Sequence, residues 1–553
     1  MNSQHNEKIK EFGRLAGIFI LGLAFRLVLM NWRFAIGFDE PHYLQLGAAA
    51  ALHGWENLLH PYWPPMYPAL IALLSVFSHN FELVGRLVSV ITGTAAIIPV
   101  YILSKELFGA RTGLLSAFLL ALFPAFAFDS TNTLSESTYT FFSVSAVAAG
   151  WFALKNRSVW KAALAGALFG MSYLTKPEGL GYVCVYLILA TILFIFHWTR
   201  DRQLALMKIM FVTVAATLFC ASPYLTYLRH TTGDWTISGK YKVNRFDLNA
   251  INRLSPDNQT SPLDMAYHLG NFHEYDVDTH AGRDGRASDW ASLAKTMAEN
   301  FYKALRFAIP GVITAPMFFL MALGLAGSHW TWAHAKLHLY LLSFVVFFWL
   351  IVIPFFHIND RYFVPLLPFC FVWIGQGTVI LSKRLCHLLR VSPIKIFSYA
   401  SARWGMTLTA ALLIVLSFLP ELGKVIGRSR FSRDFWADAI ELKEAGEWLK
   451  ANAGCTPVLM SYNKAVDFYA GQFDIRKTAT FSRDSLDRVL EYAAHRRVDY
   501  LVIDERYQEV LPNLAGLSNR TEVPEVLKPV YDHISVSGLR VIIYQLQPVL
   551  KTN

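Results

Sequence analysis

Ile36-Gly37-Phe38-Asp39-Glu40-Pro41-His42-Tyr43 follows directly on the first long apolar run of the chain, at about 15–33. Lys8, Lys10 and Arg14 precede that run, and basic residues ahead of a first span favour a cytoplasmic N-terminus, so Asp39 and Glu40 emerge on the outer side. Pro41 suits the first turn of a helix, where its missing N–H has no partner to lose. Leu44, Leu46, Ala48 to Ala51 and Leu52 continue that helix until His53-Gly54 ends it. The stretch 55–65 carries Trp55, Tyr62, Trp63, Pro64 and Pro65, a composition suited to the lipid–water interface. Residues 66–78 are apolar but too short for a span, which takes about 20 residues, so they read as re-entrant or interfacial. The first outer loop is therefore 34–82.

Composition widens this reading to the whole chain. Of the 553 residues, 54% are apolar and 16% charged, against a usual charged share of about a quarter. That is a polytopic membrane protein. The formal charge of +10 comes mainly from short basic clusters between apolar runs. Cytoplasmic loops carry such an excess, and this accounts for the charge without nucleic acid. Cys184, Cys220, Cys370, Cys386 and Cys455 form no CxxC pair and no zinc-ligand spacing. The first run lacks a small-residue cleavage site and is retained as an anchor.

Further spans are expected at about 83–104, 112–128 and 138–154, then up to 174, 197 and 227, at 304–327, up to 354, from 360 and at 404–420. This makes about eleven membrane helices in a domain 1–420, with a long polar outer loop at 229–303. An odd number places residues 421–553 outside. That segment reads as a small extracytoplasmic α/β domain: an amphipathic helix at 434–451, strands at Pro457–Ser461 and Tyr500–Asp504, a helix near 483–495 and two strands near 533–546.

Two readings of Asp39 are open. A positioned carboxylate can take a proton from an acceptor hydroxyl, and ionisable groups at membrane depth are commonly functional. Equally, a carboxylate ahead of Pro41 can cap free helix N–H groups. His42, three residues after Asp39, offers half of a metal pair, but no further ligand stands at a defined spacing, so no metal and no other cofactor is assigned.

Several motifs occur in order: the Asp39-Glu40 pair after the first span, the aromatic Pro-Pro loop, Leu174-Thr175-Lys176-Pro177-Glu178, and the run Asp360-Arg361-Tyr362-Phe363-Val364-Pro365. Together they resemble the GT-C superfamily of integral membrane glycosyltransferases, and most closely the protein O-mannosyltransferase and aminoarabinose transferase group (glycosyltransferase family 39 and its bacterial relatives). The resemblance covers about 10–420. It implies inverting transfer of a sugar from a polyprenyl-phosphate-linked donor to an acceptor hydroxyl at the outer face of a bacterial or archaeal plasma membrane. The acceptor would be a lipid, a polysaccharide or a protein. Asp39 matches the catalytic base and Glu40 its partner. Arg361 and Tyr362 match the Arg-Tyr at an outer helix start, and Arg361 suits phosphate because guanidinium meets its oxygens bidentately. Lys176 is a second candidate for donor phosphate, with a local ion pair as the alternative.

Glu136, Glu178, His42, Tyr62, Trp63 and His357 are candidate acceptor or sugar contacts. The sequence departs from the aminoarabinose enzymes in two places. Their Lys-Pro-Pro is Trp63-Pro64-Pro65 here, and Glu136 in a Ser-Glu pair replaces an Asp. The lysine that the resemblance implies for the lipid phosphate is therefore absent; Lys240 and Lys242 in the long loop are candidates to replace it, though a solvated basic loop is the preferred reading of them. The rival to a transferase is a transporter or flippase of lipid-linked saccharide precursors. That reading calls for charges inside spans and a repeat relating two halves, and no repeat is visible. An oligosaccharyltransferase subunit would carry a Trp-Trp-Asp signature that the C-terminal domain lacks.

Overall fold

The computed structural model describes residues 2–196, 199–240, 290–328, 330–352, 360–391, 409–427, 432–434 and 437–547. His357, Lys242, most of the long outer loop and the start of the expected last span lie outside the described residues. The described chain is mostly helical, followed by a small sheet.

The helices used below are α1 (Asn2–Met30), α2 (Glu40–His53), α3 (Met66–Leu74), α4 (Phe81–Ala95), α5 (Ile97–Phe108), α6 (Ala110–Leu122), α7 (Pro124–Asp129), α8 (Glu136–Asn156), α9 (Val159–Thr175), α10 (Gly179–Ile195) and α11 (Arg200–Thr232). Among the described residues four helices are long and apolar enough to cross a bilayer: His5–Met30, Phe81–Phe108, Arg200–Thr232 and Arg361–His387. A fifth results if Met297–Val312 and Ala315–Ala326, bent by 98° at their junction, count as one span. Length and composition thus support four or five spans, where the sequence suggested about eleven. Two local features account for part of the gap. Ala110–Leu122 and Gly179–Ile195 are apolar but shorter than the roughly 20 residues a bilayer takes. The expected span 112–128 is broken at Phe123, where Pro124 starts α7.

Within the helical body, α9 packs between α8 and α11, and α5 returns against α6. Arg26 lies fully buried in α1. It donates to the carbonyls of Gly22 (3.0 Å) and Ala121 (2.9 Å) and stands over the Phe126 ring, so this intramembrane cation ties α1 to α6 and α7. In the first outer loop, α2 ends where Gly54 takes φ +117°, a region side chains disfavour. α3 lies against α2, and the exposed Val76 and Phe77 follow it.

The C-terminal sheet runs β1 (Leu459–Met460), β2 (Thr478–Ala479), β3 (Tyr500–Asp504), β4 (Leu527–Ile534) and β5 (Arg540–Leu546), in the order β2-β1-β3-β5-β4. β1 pairs in parallel with β2 and β3, while β5 is antiparallel to β3 and β4. Tyr500-Leu-Val-Ile-Asp forms the central strand because its branched side chains are buried on both faces, the pattern of a covered strand. Ile440–Asn452 is the amphipathic helix, starting six residues later than expected, and Leu486–His495 is the second. β2 has only two residues and shows no alternation for a sequence reading to find.

This sheet domain is not tethered at a distance. One apolar cluster runs without a break from Ile36, Tyr43, Trp63, Tyr67 and Val84 of the first outer loop and α4 into Ala439, Leu442, Val466, Tyr469 and Val502 of the sheet domain.

Candidate active site

The segment 33–38, just ahead of Asp39, is held on both sides. Asp438 accepts from the Phe34 amide (2.7 Å) and pairs with Arg33 (3.0 Å). The Tyr469 hydroxyl accepts from the Ile36 amide (3.0 Å) and itself donates to Glu82 (3.0 Å). Phe38 packs between Tyr462 and Tyr507, with ring centroids 5.6 and 5.8 Å away. The sheet domain therefore sets where Asp39 stands.

Asp39 and Glu40, neighbours in sequence, face different ways. Asp39 occupies the position before α2 with φ −86° and ψ −17°, yet its carboxylate makes no capping bond. It forms an ion pair with Arg361 instead. Arg361 lies on the turn Asp360–Leu366 and also stands over the Tyr362 ring, 5.5 Å from its centroid. Burial alone would raise the Asp39 carboxyl, but Arg361 outweighs this and holds it below the usual carboxylate range, so it is ionised at neutral pH.

Glu40 is sunk into protein and fully engaged. One oxygen accepts from Arg33 (2.7 Å) and the Gly37 amide (3.2 Å), the other from the Thr133 amide (2.9 Å) and hydroxyl (2.5 Å). The sequence reading made Glu40 the partner of Asp39 in the chemistry. The geometry instead makes it a brace between the segment before α2 and the segment before α8, because all four of its contacts are internal.

Asp39 opens onto a cavity of about 130 Å³, whose charged lining also includes Glu136, Lys176, Glu178, Lys240 and Arg361. Tyr62, Trp63 and Tyr362 line it as well. Lys176 follows α9 directly and donates to Glu136 at the start of α8 (2.9 Å). Burial would lower the Lys176 ammonium, but Glu136 and Glu178 raise it above its ordinary value and keep it charged. Glu178 precedes α10 without capping it. The second carboxylate oxygens of Glu136 and Glu178 are buried with no hydrogen-bond partner, two acceptors for hydroxyl or ammonium donors. Three helix N-termini (α2, α8 and α10) thus bring three carboxylates to one cavity, where three cations meet them.

Lys240 is the residue sequence reasoning misplaced. It is half-buried in this cavity rather than solvated, with Nζ 5.1 Å from the Tyr62 ring centroid and 5.3 Å from that of Trp63. The signal that could have found it is Gly239. A β-carbon there would stand 2.7 Å from the Pro61 carbonyl oxygen, so the backbone reaches this loop only as glycine.

His42 does not line the cavity. It stacks on Trp63 (4.7 Å between centroids, 17° between planes), and burial lowers it to about 3. His60 is likewise lowered to about 3 by burial, and its Nδ1 accepts from the amides of Tyr62 (3.1 Å) and Trp63 (3.2 Å). Both are neutral imidazoles that shape the aromatic loop. His357 lies outside the described residues. Among the described residues no group of three or more His, Cys, Asp or Glu side chains is placed to hold a metal ion.

The fold has known counterparts. The apo oligosaccharyltransferase of Archaeoglobus fulgidus superposes with a TM-score of 0.58 at 14% identity, covering 90% of this chain and 70% of that one. ArnT from Cupriavidus metallidurans superposes with a TM-score of 0.57 at 13% identity, covering 96% of this chain and 98% of that one. The chain shares the fold of these two proteins. A second structure of the same ArnT, bound to undecaprenyl phosphate, gives a TM-score of 0.55 at 13% identity, with 96% and 98% covered. Residues 60–227 match the profile of the dolichyl-phosphate-mannose-protein mannosyltransferase family. That range holds Tyr62, Trp63, Glu136, Lys176 and Glu178 of the cavity, while Asp39, Lys240 and Arg361 lie beyond it. No curated protein compared with the chain matches it.

Proposed function

We propose that this protein is an inverting membrane glycosyltransferase that moves a sugar from a polyprenyl-phosphate donor to an acceptor hydroxyl. The observation that carries the reading is the Asp39 carboxylate. It declines its capping role, stays ionised and stands in a cavity beside the guanidinium of Arg361. In the proposed step the acceptor oxygen attacks the anomeric carbon as Asp39 takes the hydroxyl proton. The bond from that carbon to the phosphate oxygen breaks, and its electron pair leaves with the polyprenyl phosphate. Phosphate is a good leaving group, so one carboxylate suffices where a glycosidase uses an acid and a base.

Arg361 and Lys176 would neutralise the phosphate, with Tyr362 beside them. The free oxygens of Glu136 and Glu178 would accept from sugar or acceptor hydroxyls, and Tyr62 and Trp63 would stack on a sugar face. Support for a lipid-phosphate partner comes from the ArnT structure with undecaprenyl phosphate. The positive-inside pattern supports a cytoplasmic N-terminus, with the cavity and the sheet domain outside, in a bacterial or archaeal plasma membrane.

The test is sugar transfer by purified protein in nanodiscs, with a panel of polyprenyl-phosphate sugars and a membrane extract as acceptor. Wild type should consume one donor, and Asp39→Asn should lose at least 100-fold in turnover, on the order of general-base losses, while remaining folded. Lipid movement across the bilayer without donor consumption would replace this reading with the transporter.

A further inference from the structure

Of the three cations in the cavity, two already have a carboxylate. Arg361 is paired with Asp39 and Lys176 with Glu136. Lys240 differs. Among the described residues no carboxylate reaches its Nζ within ion-pair distance, and Nζ stands over the ring faces of Tyr62 and Trp63. Burial lowers its ammonium, with Glu178 the largest opposing influence. An aromatic face attracts a cation without neutralising it. Among the described residues the site therefore holds a positive charge that no carboxylate meets at ion-pair distance.

The backbone that carries Lys240 is anchored. The Gly239 amide donates to the Pro61 carbonyl (3.0 Å), the Lys240 amide donates to Ser238 Oγ (3.1 Å), and the Tyr173 hydroxyl donates to the Ile237 carbonyl (3.0 Å). Tyr62 and Trp63 are fixed in turn by His60, and Trp63 by its stack on His42. A long flexible side chain is thereby held in one place over two rings. Such an arrangement reduces the entropy lost when a ligand engages it. The tryptophan that forms half of this platform opens Trp63-Pro64-Pro65.

We propose that Lys240, poised over Tyr62 and Trp63, is the principal anion-binding residue of the cavity and meets the phosphate of the lipid-linked donor. This deepens the glycosyltransferase reading and rests on it. Phosphate meeting Lys240 first leaves the Asp39–Arg361 and Glu136–Lys176 pairs intact, so initial binding does not have to break an ion pair, and Arg361 and Lys176 add their charge to the same phosphate from within those pairs. A half-buried ammonium binds phosphate as a point charge, so charge matters more than shape at this position.

The experiment measures binding without turnover. Full-length protein in nanodiscs of zwitterionic lipid is titrated with undecaprenyl phosphate and, separately, with inorganic phosphate, for wild type, Lys240→Gln and Lys240→Arg. The expected result is binding of undecaprenyl phosphate by wild type, roughly 10- to 100-fold weaker binding by Lys240→Gln, as for loss of one charged hydrogen bond, and near-complete rescue in Lys240→Arg. Inorganic phosphate should bind far more weakly. Equal affinity for the two probes would overturn the lipid source and leave a free-anion site. Unchanged lipid binding by a folded Lys240→Gln would overturn the role of Lys240 while the Asp39→Asn assay still upholds the transferase. Absence of lipid binding by wild type, together with no transfer, would bring down both.

Discussion

Replacing Glu40 by Gln should damage stability, whereas replacing its neighbour Asp39 by Asn should damage turnover. Glu40 takes four donors, two on each oxygen, and its side chain and that of Arg33 are only 4% and 9% exposed. Gln keeps the shape but turns one oxygen into a donor. Whichever way the amide is set, two of the four contacts become donor facing donor, and Arg33 keeps only Asp438 as its counter-ion. Breaking a buried ion pair from one side costs roughly 3–5 kcal/mol, and a buried amide left without an acceptor falls within that sum. The Asp39–Arg361 pair is more exposed, at 19% and 22%, so losing it should cost under about 1 kcal/mol after solvent screening. Thermal unfolding in detergent, read beside donor consumption, separates the two. Glu40→Gln should melt several degrees lower and retain turnover per folded molecule, and Asp39→Asn should do the reverse. A Glu40→Gln protein as stable as wild type but unable to transfer sugar would refute the division of labour between these carboxylates.

Acid should loosen the outer loop through His42 and His60. Both are near 3 in the fold, against about 6.5 in an unfolded chain. Their contribution is complete above about pH 6.5 and is lost as pH falls toward 3, because the unfolded state then binds more protons. The slope approaches about 2.7 kcal/mol per pH unit for the pair; a flat melting curve between pH 7 and 4 would contradict it. Tyr469→Phe removes the hydroxyl that holds the Ile36 amide. It should lower kcat about tenfold, since small misplacements of a base are costly, with KM for the donor unchanged; a change confined to KM would argue against positioning. Gly239→Ala meets the Pro61 carbonyl at 2.7 Å and should weaken undecaprenyl phosphate binding as Lys240→Gln does. Wild-type affinity in that variant would show that the close approach is dispensable.

What could be read from sequence follows the range of the forces involved. Asp39 stood out because a charge beside an apolar run is costly unless it is used, and that signal is local. The strand Tyr500–Asp504 was legible for the same reason, as a short branched run. The environment of Lys240 was not. Its burial comes from Tyr62 and Trp63, far earlier in the chain, and no local pattern encodes such a contact. Glu40 misled because adjacency suggested shared work, while its real partners, Arg33 and Thr133, lie on two different loops. Among the described residues, proline breaks an apolar run below bilayer length at Phe123-Pro124, and composition alone does not register such a break.

The grip of the sheet domain on residues 33–38 has a consequence for how the molecule is made. The bonds from Asp438 to Phe34 and from Tyr469 to Ile36 join positions 404 and 433 residues apart. At a synthesis rate of roughly 5–20 residues per second, the Asp39 loop waits about 20–80 s on the ribosome before its holders exist. Chains cut short between residues 361 and 438 carry every charged residue of the cavity and lack the frame that aims the first of them. Completion of translation thus acts as a timer on assembly of the site.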